Sequence, residues 1–240
     1  MIADKLIAHR GCSLLRPENT LAAMTLTHEI DIRWVEIDAN LVGDGTLVMF
    51  HDDYLDRLTP GTGKLAEQRW DDVKDLDVGS HFSADYQAER MPQLSEALQH
   101  IAGLRLGLNL EIKVYPSFTA ADIVPKVIAA LEQHWTDFDR LIISSFDADA
   151  LRLVRAAKPD WQLGMLYEAI EDDWAKLANE LSLVSIHSHY ALLQSAQASA
   201  IKAAGLDLYC YTVNDRKAGE ALWQMGVDGL ITDNPLLFLP

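Results

Sequence analysis

Cysteine is nearly absent: Cys12 and Cys210 are the only two in 240 residues. Thiols so far apart form neither a zinc motif nor a disulfide framework, so both are read as plain buried thiols. No uninterrupted apolar run approaches the ~20 residues that span a bilayer, which excludes a hydrophobic transmembrane helix. Met1-Ile2-Ala3-Asp4-Lys5 leads straight into an apolar strand and leaves no room for a signal peptide, so a cytoplasmic protein is expected. Positive charge is scarce, with 20 lysines and arginines against 36 aspartates and glutamates, a net charge of −16 with histidines neutral. Such a surface repels nucleic acid and anionic membranes at long range, so neither is an expected partner. It repels a small anion too, and a site for one would need locally concentrated cations. A dinucleotide fingerprint is also missing, because His9-Arg10-Gly11-Cys12 after the first strand is not G-x-G-x-x-G. There is no solenoid repeat and no low-complexity tract.

What is present is a set of strands that end in polar residues. Leu106 to Lys113 alternates with the period of two that a strand imposes, which puts Asn109, Glu111 and Lys113 on one face. Trp34 to Val42 does the same for Glu36, Asp38 and Asn40, and Leu6-Ile7-Ala8 runs into His9-Arg10-Gly11. Acids and bases inside apolar strands are costly unless they find a counter-charge, a metal or a ligand. Gly43-Asp44-Gly45 is too short for a parallel crossover, so Thr46 to His51 must return antiparallel; folding about Asp44 sets His51 opposite residues 37 to 38.

Residues 52 to 92 are weakly periodic and are expected to form an inserted lid or small subdomain, with Trp70, Phe82 and Tyr86 as its core or as a wall for substrate. After helix Leu94 to Ile101 and the strand ending at Lys113, helix and strand alternate. Helices are predicted over Thr119 to Trp135, Asp147 to Ala157, Asp172 to Leu181, Leu192 to Ala204, and from Asp215 to Gly226. Strands are predicted over Leu141 to Ser145, Gln162 to Tyr167, Leu183 to Ser188, Leu208 to Val213 and Gly229 to Thr232. Leaving out the returning hairpin strand, eight strands remain, most of them followed by a helix. That pattern predicts an α/β fold of the TIM-type (β/α)8 barrel kind, with a small insertion after the second-strand hairpin, over the whole of residues 1–240 as one domain. An open doubly wound sheet is the less favoured alternative.

In such a barrel the chemistry sits at the carboxyl ends of the strands, where His9, Arg10, Glu36, Asp38, Glu111, Lys113 and Tyr211 fall. Three carboxylates without thiols or clustered imidazoles suit a hard divalent cation, Mg²⁺, Ca²⁺ or Mn²⁺, rather than zinc. Two histidines, an arginine and a lysine are a phosphate site's complement, with imidazoles for proton transfer and cations for the oxygens. Taken singly, Glu111 with Lys113 reads as a buried ion pair, Glu36 with Asp38 as a solvent-facing edge and His51 as a core histidine. Their convergence at one barrel rim favours a site. His187 is left open between pocket wall, structural role and surface, and Thr232 and Asp233 are expected only to shape the last loop.

His9-Arg10-Gly11, Pro17-Glu18-Asn19-Thr20, Glu36-Ile37-Asp38, His51-Asp52, Glu111-Ile112-Lys113, Tyr211-Thr212-Val213-Asn214 and Gly226-Val227-Asp228-Gly229 resemble, in order, the motifs of the glycerophosphodiester phosphodiesterase family. Ser144-Ser145-Phe146-Asp147 and Val184-Ser185-Ile186-His187 resemble its cytoplasmic bacterial type. The resemblance spans almost the whole chain. It implies metal-dependent hydrolysis of small glycerophosphodiesters such as glycerophosphocholine and glycerophosphoethanolamine to glycerol 3-phosphate and an alcohol. By matching position it implies Glu36, Asp38 and Glu111 as metal ligands, His9 and His51 as acid/base pair, and Arg10 and Lys113 on phosphate. Tyr211 stands where many members have Trp and would be an aromatic wall. The residues leave open which histidine is base, and whether a neighbouring glycerol hydroxyl, through a cyclic phosphate, or water attacks; the resemblance favours the cyclic route. Lysophospholipids are a nearer alternative substrate, disfavoured by the lack of a basic amphipathic stretch, and a non-catalytic binding barrel is a further alternative. Oligomeric state, headgroup and preferred metal stay open.

Overall fold

The computed structural model describes residues 5–239, so the reading of Met1 to Asp4 lies outside the described residues. Strand β1 (Leu6–Ala8) is followed by helix α1 (Leu21–Glu29), β2 (Trp34–Leu41), β3 (Leu47–Met49), a single helical turn α2 (Trp70–Val73), and α3 (Leu94–Gly103). Then strand and helix alternate: β4 (Gly107–Ile112), α4 (Ala120–His134), β5 (Leu141–Ser145), α5 (Ala148–Ala157), β6 (Gln162–Tyr167), α6 (Trp174–Leu181), β7 (Ser185–His189), α7 (Ser195–Ala203), β8 (Asp207–Tyr211), α8 (Arg216–Gln224) and β9 (Gly229–Thr232). The nine strands hydrogen-bond in the order β1-β9-β8-β7-β6-β5-β4-β2-β3, and the pairing of β1 with β2 through Ala8 and Val35 closes eight parallel strands into a barrel. The expected (β/α)8 architecture is therefore the one observed. β3 alone is antiparallel, and its register of Ala39 with Met49 and Leu41 with Leu47, extended by the Phe50 amide on the Asp38 carbonyl, sets His51 opposite Ile37 as predicted.

The observed helix limits fall where local caps put them. Thr20 accepts the Ala23 amide at 3.2 Å to start α1, and Asp147 and Asp215 do the same for α5 and α8. The helix predicted from Asp172 begins only at Trp174, and that predicted from Leu192 only at Ser195, because the preceding residues turn out of the strands instead.

Two apolar layers hold the barrel. Outward strand residues such as Val35, Ile37, Leu108 and Leu110 pack under the helices, while Ile7, Trp34, Ile142, Tyr209 and Ile231 plug the interior. Gly107 makes that plug fit, since a Cβ there would lie 2.5 Å from the Trp34 ring. Above the plug the inward positions are polar, which places the site at the carboxyl end.

The 52–92 segment builds its own small core. Leu55, Leu58, Leu65, Val73, Val78 and Met91 pack with Val42, Val48 and Phe50, residues of the hairpin turned away from the barrel. The expected Trp70, Phe82 and Tyr86 cluster does not form as one group. Trp70 joins this core, whereas Phe82 meets Tyr86 edge to face at 5.7 Å on the surface, with the Arg16 guanidinium 5.5 Å from the Tyr86 ring. Among the described residues no helix is long and apolar enough to cross a membrane.

Candidate active site

The chain leaves β1 through two consecutive left-handed residues, Arg10 at φ 50° and Gly11 at φ 80°. For arginine this backbone is strained, and it aims the Arg10 amide into the barrel mouth, where it donates to Glu36 Oε2 at 2.9 Å. His9, one residue earlier, is held by Asp233, with Nδ1 2.6 Å from Oδ1. Burial works against the Asp233 carboxylate, but hydrogen bonds from His9, Ser13 and Asn214 and the nearby imidazole hold it down to about 2. An ionised carboxylate only accepts, so Nδ1 of His9 carries the proton, and Nε2 is turned toward Glu36, 3.9 Å from Oε2. His51 repeats the device: its Nδ1 donates to Asp52 Oδ1 at 2.6 Å, which leaves Nε2 for the cavity. The Tyr115 hydroxyl fixes the His51 backbone by donating to its carbonyl at 2.5 Å.

Glu36, Asp38 and Glu111, from neighbouring strands β2 and β4, each offer an oxygen within 4.8 Å of the others, all buried. Such crowding raises the cost of ionisation. Glu36 lies well above the ordinary carboxylate range, first by burial and then by repulsion from Asp38 and Glu111. Burial also raises Glu111, more than its 2.6 Å bond from Lys113 lowers it. Asp38 goes the other way: burial opposes its charge, but Lys113 at 3.6 Å and Arg10 at 3.3 Å outweigh it and hold it below the usual range. Glu36 Oε1 and Asp38 Oδ1 are buried without a hydrogen-bond partner, and both amide atoms of Asn109, beside Glu36 in register, are unpartnered as well. Unpartnered buried acceptors facing one another are the donor set a hard divalent cation requires, so the residues fit one.

Cations line the other side. Burial works against the Lys113 ammonium, yet Asp38 and Glu111 keep it above the ordinary lysine range, and it lies between the Tyr115 ring at 6.0 Å and the Phe146 ring at 5.9 Å. Arg10 donates to Glu18 Oε1 at 2.7 Å. The Pro17-Glu18-Asn19-Thr20 motif thus divides its work: Glu18 holds Arg10, Asn19 donates to Asp38 Oδ2 at 2.8 Å, and Thr20 caps α1. Tyr211 forms a wall, its hydroxyl bonded to the Tyr167 carbonyl at 2.8 Å and its ring edge-on to Phe146 at 5.8 Å. His9, Arg10, Glu36, His51, Glu111, Lys113 and Tyr211 surround one cavity of about 140 Å³, and Asp38 lies directly beneath it through its contacts to Arg10 and Lys113.

All eight residues singled out from the sequence therefore converge. His187 is instead fully buried below the cavity, its Nε2 2.9 Å from Ser185 Oγ, and burial lowers it to about 3, so it stays neutral. Asp233, expected only to shape the last loop, instead holds the His9 imidazole. Its bond to His9 spans 224 positions and exists only because β9 closes onto β1, so no local signal marks it. Arg57 likewise reaches Asp52 and Glu18 from an irregular turn of the insertion, where no periodic pattern marks it.

A barrel with imidazoles, buried acids and two cations converging on its carboxyl-end cavity defines a phosphate-handling hydrolase class. Residues 9–237 match the sequence profile of the glycerophosphoryl diester phosphodiesterase family. A glycerophosphodiester phosphodiesterase of Caldanaerobacter subterraneus subsp. tengcongensis is 34% identical over 234 residues, covering 95% of this chain and 93% of its own. The structure of a phosphodiesterase of Oleispira antarctica, in complex with the product sn-glycerol-3-phosphate, is 37% identical and superposes with a TM-score of 0.93 over 97% of this chain and 94% of its own. A glycerophosphodiester phosphodiesterase structure from Agrobacterium tumefaciens, 26% identical, gives a TM-score of 0.81 over 98% of each chain. The chain belongs to the glycerophosphoryl diester phosphodiesterase family and is an enzyme of that kind.

Proposed function

We propose that this chain hydrolyses small glycerophosphodiesters, such as glycerophosphocholine and glycerophosphoethanolamine, to sn-glycerol 3-phosphate and the alcohol. The observation that carries the reading is the pairing of His9 with Asp233 and His51 with Asp52, which leaves both Nε2 atoms for one cavity that also holds Arg10 and Lys113. The Oleispira neighbour's bound product supports glycerol 3-phosphate as what this cavity releases. The family match from residue 9 to 237 supports a single catalytic domain with 52–92 as its insertion.

A phosphodiester resists attack because its oxygens are anionic, so neutralising them is the largest requirement. Arg10 and Lys113 bind those oxygens, and the acids beneath keep both side chains charged and aimed. One imidazole Nε2 takes the proton of the attacking hydroxyl as its oxygen bonds to phosphorus. The other gives a proton to the alcohol oxygen as its bond to phosphorus breaks, each transfer contributing about 10²–10⁴-fold. The attacking group is the neighbouring glycerol hydroxyl, through a cyclic phosphate that water then opens with the roles of the imidazoles reversed. Glu36, Asp38 and Glu111 would hold one divalent cation, Mg²⁺, Ca²⁺ or Mn²⁺, which when bound supplies Lewis-acid neutralisation of phosphate charge. Tyr211 packs against the glycerol. Two buried free thiols suit a reducing compartment, and we place the enzyme in the cytoplasm, acting on soluble substrate rather than on membrane or nucleic acid.

The test is release of glycerol 3-phosphate from glycerophosphocholine, read with a coupled dehydrogenase. Wild-type chain is expected to turn over, and His9→Ala and His51→Ala each to lose at least about 10²-fold in kcat. Wild-type rates in either variant would remove that histidine from the chemistry.

A further inference from the structure

Arg57 belongs to the insertion, outside the cavity, yet it touches the supports of both halves of the site. Its Nε and Nη2 donate to Asp52 Oδ2 at 2.7 Å and Oδ1 at 2.8 Å, and its Nη1 and Nη2 donate to Glu18 Oε2 at 2.7 Å and Oε1 at 2.8 Å. Asp52 is the carboxylate that holds His51, and Glu18 is the one that holds Arg10. A single planar guanidinium thus clamps two carboxylates in bidentate fashion, a geometry that a flexible ammonium does not reproduce. Half-exposed ion pairs taken singly contribute little to stability, but a bidentate network of four bonds fixes directions even where it adds little energy. Arg57 itself rides on a turn in which the Thr59 amide reaches the Leu55 carbonyl at 3.1 Å, and Leu55 and Leu58 are buried in the insertion's core.

We propose that Arg57 is a positioning residue through which the insertion sets both the angle of His51 and the seat of Arg10. The proposal rests on the reading of His51 as a proton-transfer group and Arg10 as a phosphate ligand. If Arg57 only fastened the insertion to the barrel, its loss would lower stability and leave the two ends of the clamp independent. As a shared support it makes them communicate: disturbing Glu18 loosens Arg57, and with it Asp52 and His51, although Glu18 does not touch His51.

The experiment measures kcat and KM on glycerophosphocholine for wild type, Arg57→Ala, Arg57→Lys and Glu18→Gln, and for Glu18→Gln in the Arg57→Ala background, with melting curves to confirm folding. Arg57→Ala is expected to lower kcat/KM by about 10²-fold, since displacing reacting groups by an ångström costs that much, with kcat falling and KM rising together. Arg57→Lys should restore one parameter more than the other, because its ammonium reaches one carboxylate at a time. Glu18→Gln should lower kcat by about 3- to 30-fold in the wild-type background, and change only KM once Arg57 is alanine. Wild-type kcat and KM in folded Arg57→Ala, or an equal kcat effect of Glu18→Gln in both backgrounds, would overturn the assignment while the functional reading stood. A wild-type chain that turned over no glycerophosphodiester would refute that reading and this proposal with it.

Discussion

Replacing Asp233 by asparagine tests how the site is held, because its three bonds specify what an amide cannot supply. Oδ1 accepts from His9 Nδ1 and Ser13 Oγ at 2.6 Å each, and Oδ2 accepts from Asn214 Nδ2 at 2.6 Å. Either orientation of an asparagine amide sets an N–H₂ against one of these donors. If it faces His9, the Nδ1 proton is displaced to Nε2 and the imidazole offers the cavity the wrong tautomer. Asp233→Asn is therefore expected to lower kcat by about 10²-fold or more. Stability follows from the same bonds. A fall from the ordinary aspartate value to about 2, for a carboxylate mostly out of solvent, corresponds to about 2 kcal/mol. Because the folded value is depressed, that stabilisation is present at neutral pH and is lost as pH falls from about 4 through about 2. Urea unfolding should thus show wild type more stable than Asp233→Asn at pH 7, with the gap narrowing near pH 3. A variant that kept wild-type kcat while His9→Ala was inactive, or a stability gap equal at pH 7 and pH 3, would refute the reasoning.

Further outcomes follow from single contacts. Glu36→Gln removes the acid with the greatest crowding, so the chelated variant should melt higher than chelated wild type, while added Mn²⁺ should no longer raise its melting temperature; a lower melting point for the chelated variant would count against the crowding. Lys113→Met leaves Asp38 and Glu111 without their shared cation and takes one charge from the phosphate, and kcat/KM should fall by about 10²-fold, chiefly unaffected by salt because the lysine is buried. Gly107→Ala drives a methyl into the Trp34 ring at 2.5 Å, which should cost about 1–3 kcal/mol in a urea titration with an unchanged slope; a neutral substitution would show that the barrel plug yields.

The barrel and most of the site were legible because both are written in local patterns. Glu36 with Asp38, and Asn109 with Glu111 and Lys113, sit at alternate positions of apolar strands, so period two alone sent them to one face, and the carboxyl-end rule sent that face to the mouth. The short Gly43-Asp44-Gly45 link fixed the hairpin and with it the place of His51. What escaped is what depends on closure or on irregular chain. Asp233 meets His9 only across the β9–β1 seam, and Arg57 reaches Asp52 and Glu18 from a turn with no periodic signature. The insertion's core draws Leu55, Leu65, Val78 and Met91 from irregular spacings against the outward hairpin face, and no window of the sequence displays such a pattern. Phe82 and Tyr86 have a core's composition, yet they pair edge to face with one another outside that cluster, with Phe82 exposed.

If Glu36, Asp38 and Glu111 hold a divalent cation, as proposed, hydrolysis requires that ion. Phosphorus NMR of glycerophosphocholine with metal-stripped chain, before and after addition of Mg²⁺, Ca²⁺ or Mn²⁺, tests it most directly. The diester signal is expected to stay unchanged under chelation, and the glycerol 3-phosphate signal to grow once a cation is restored. Equal hydrolysis with and without chelator, or none with any of the three cations, would contradict that requirement.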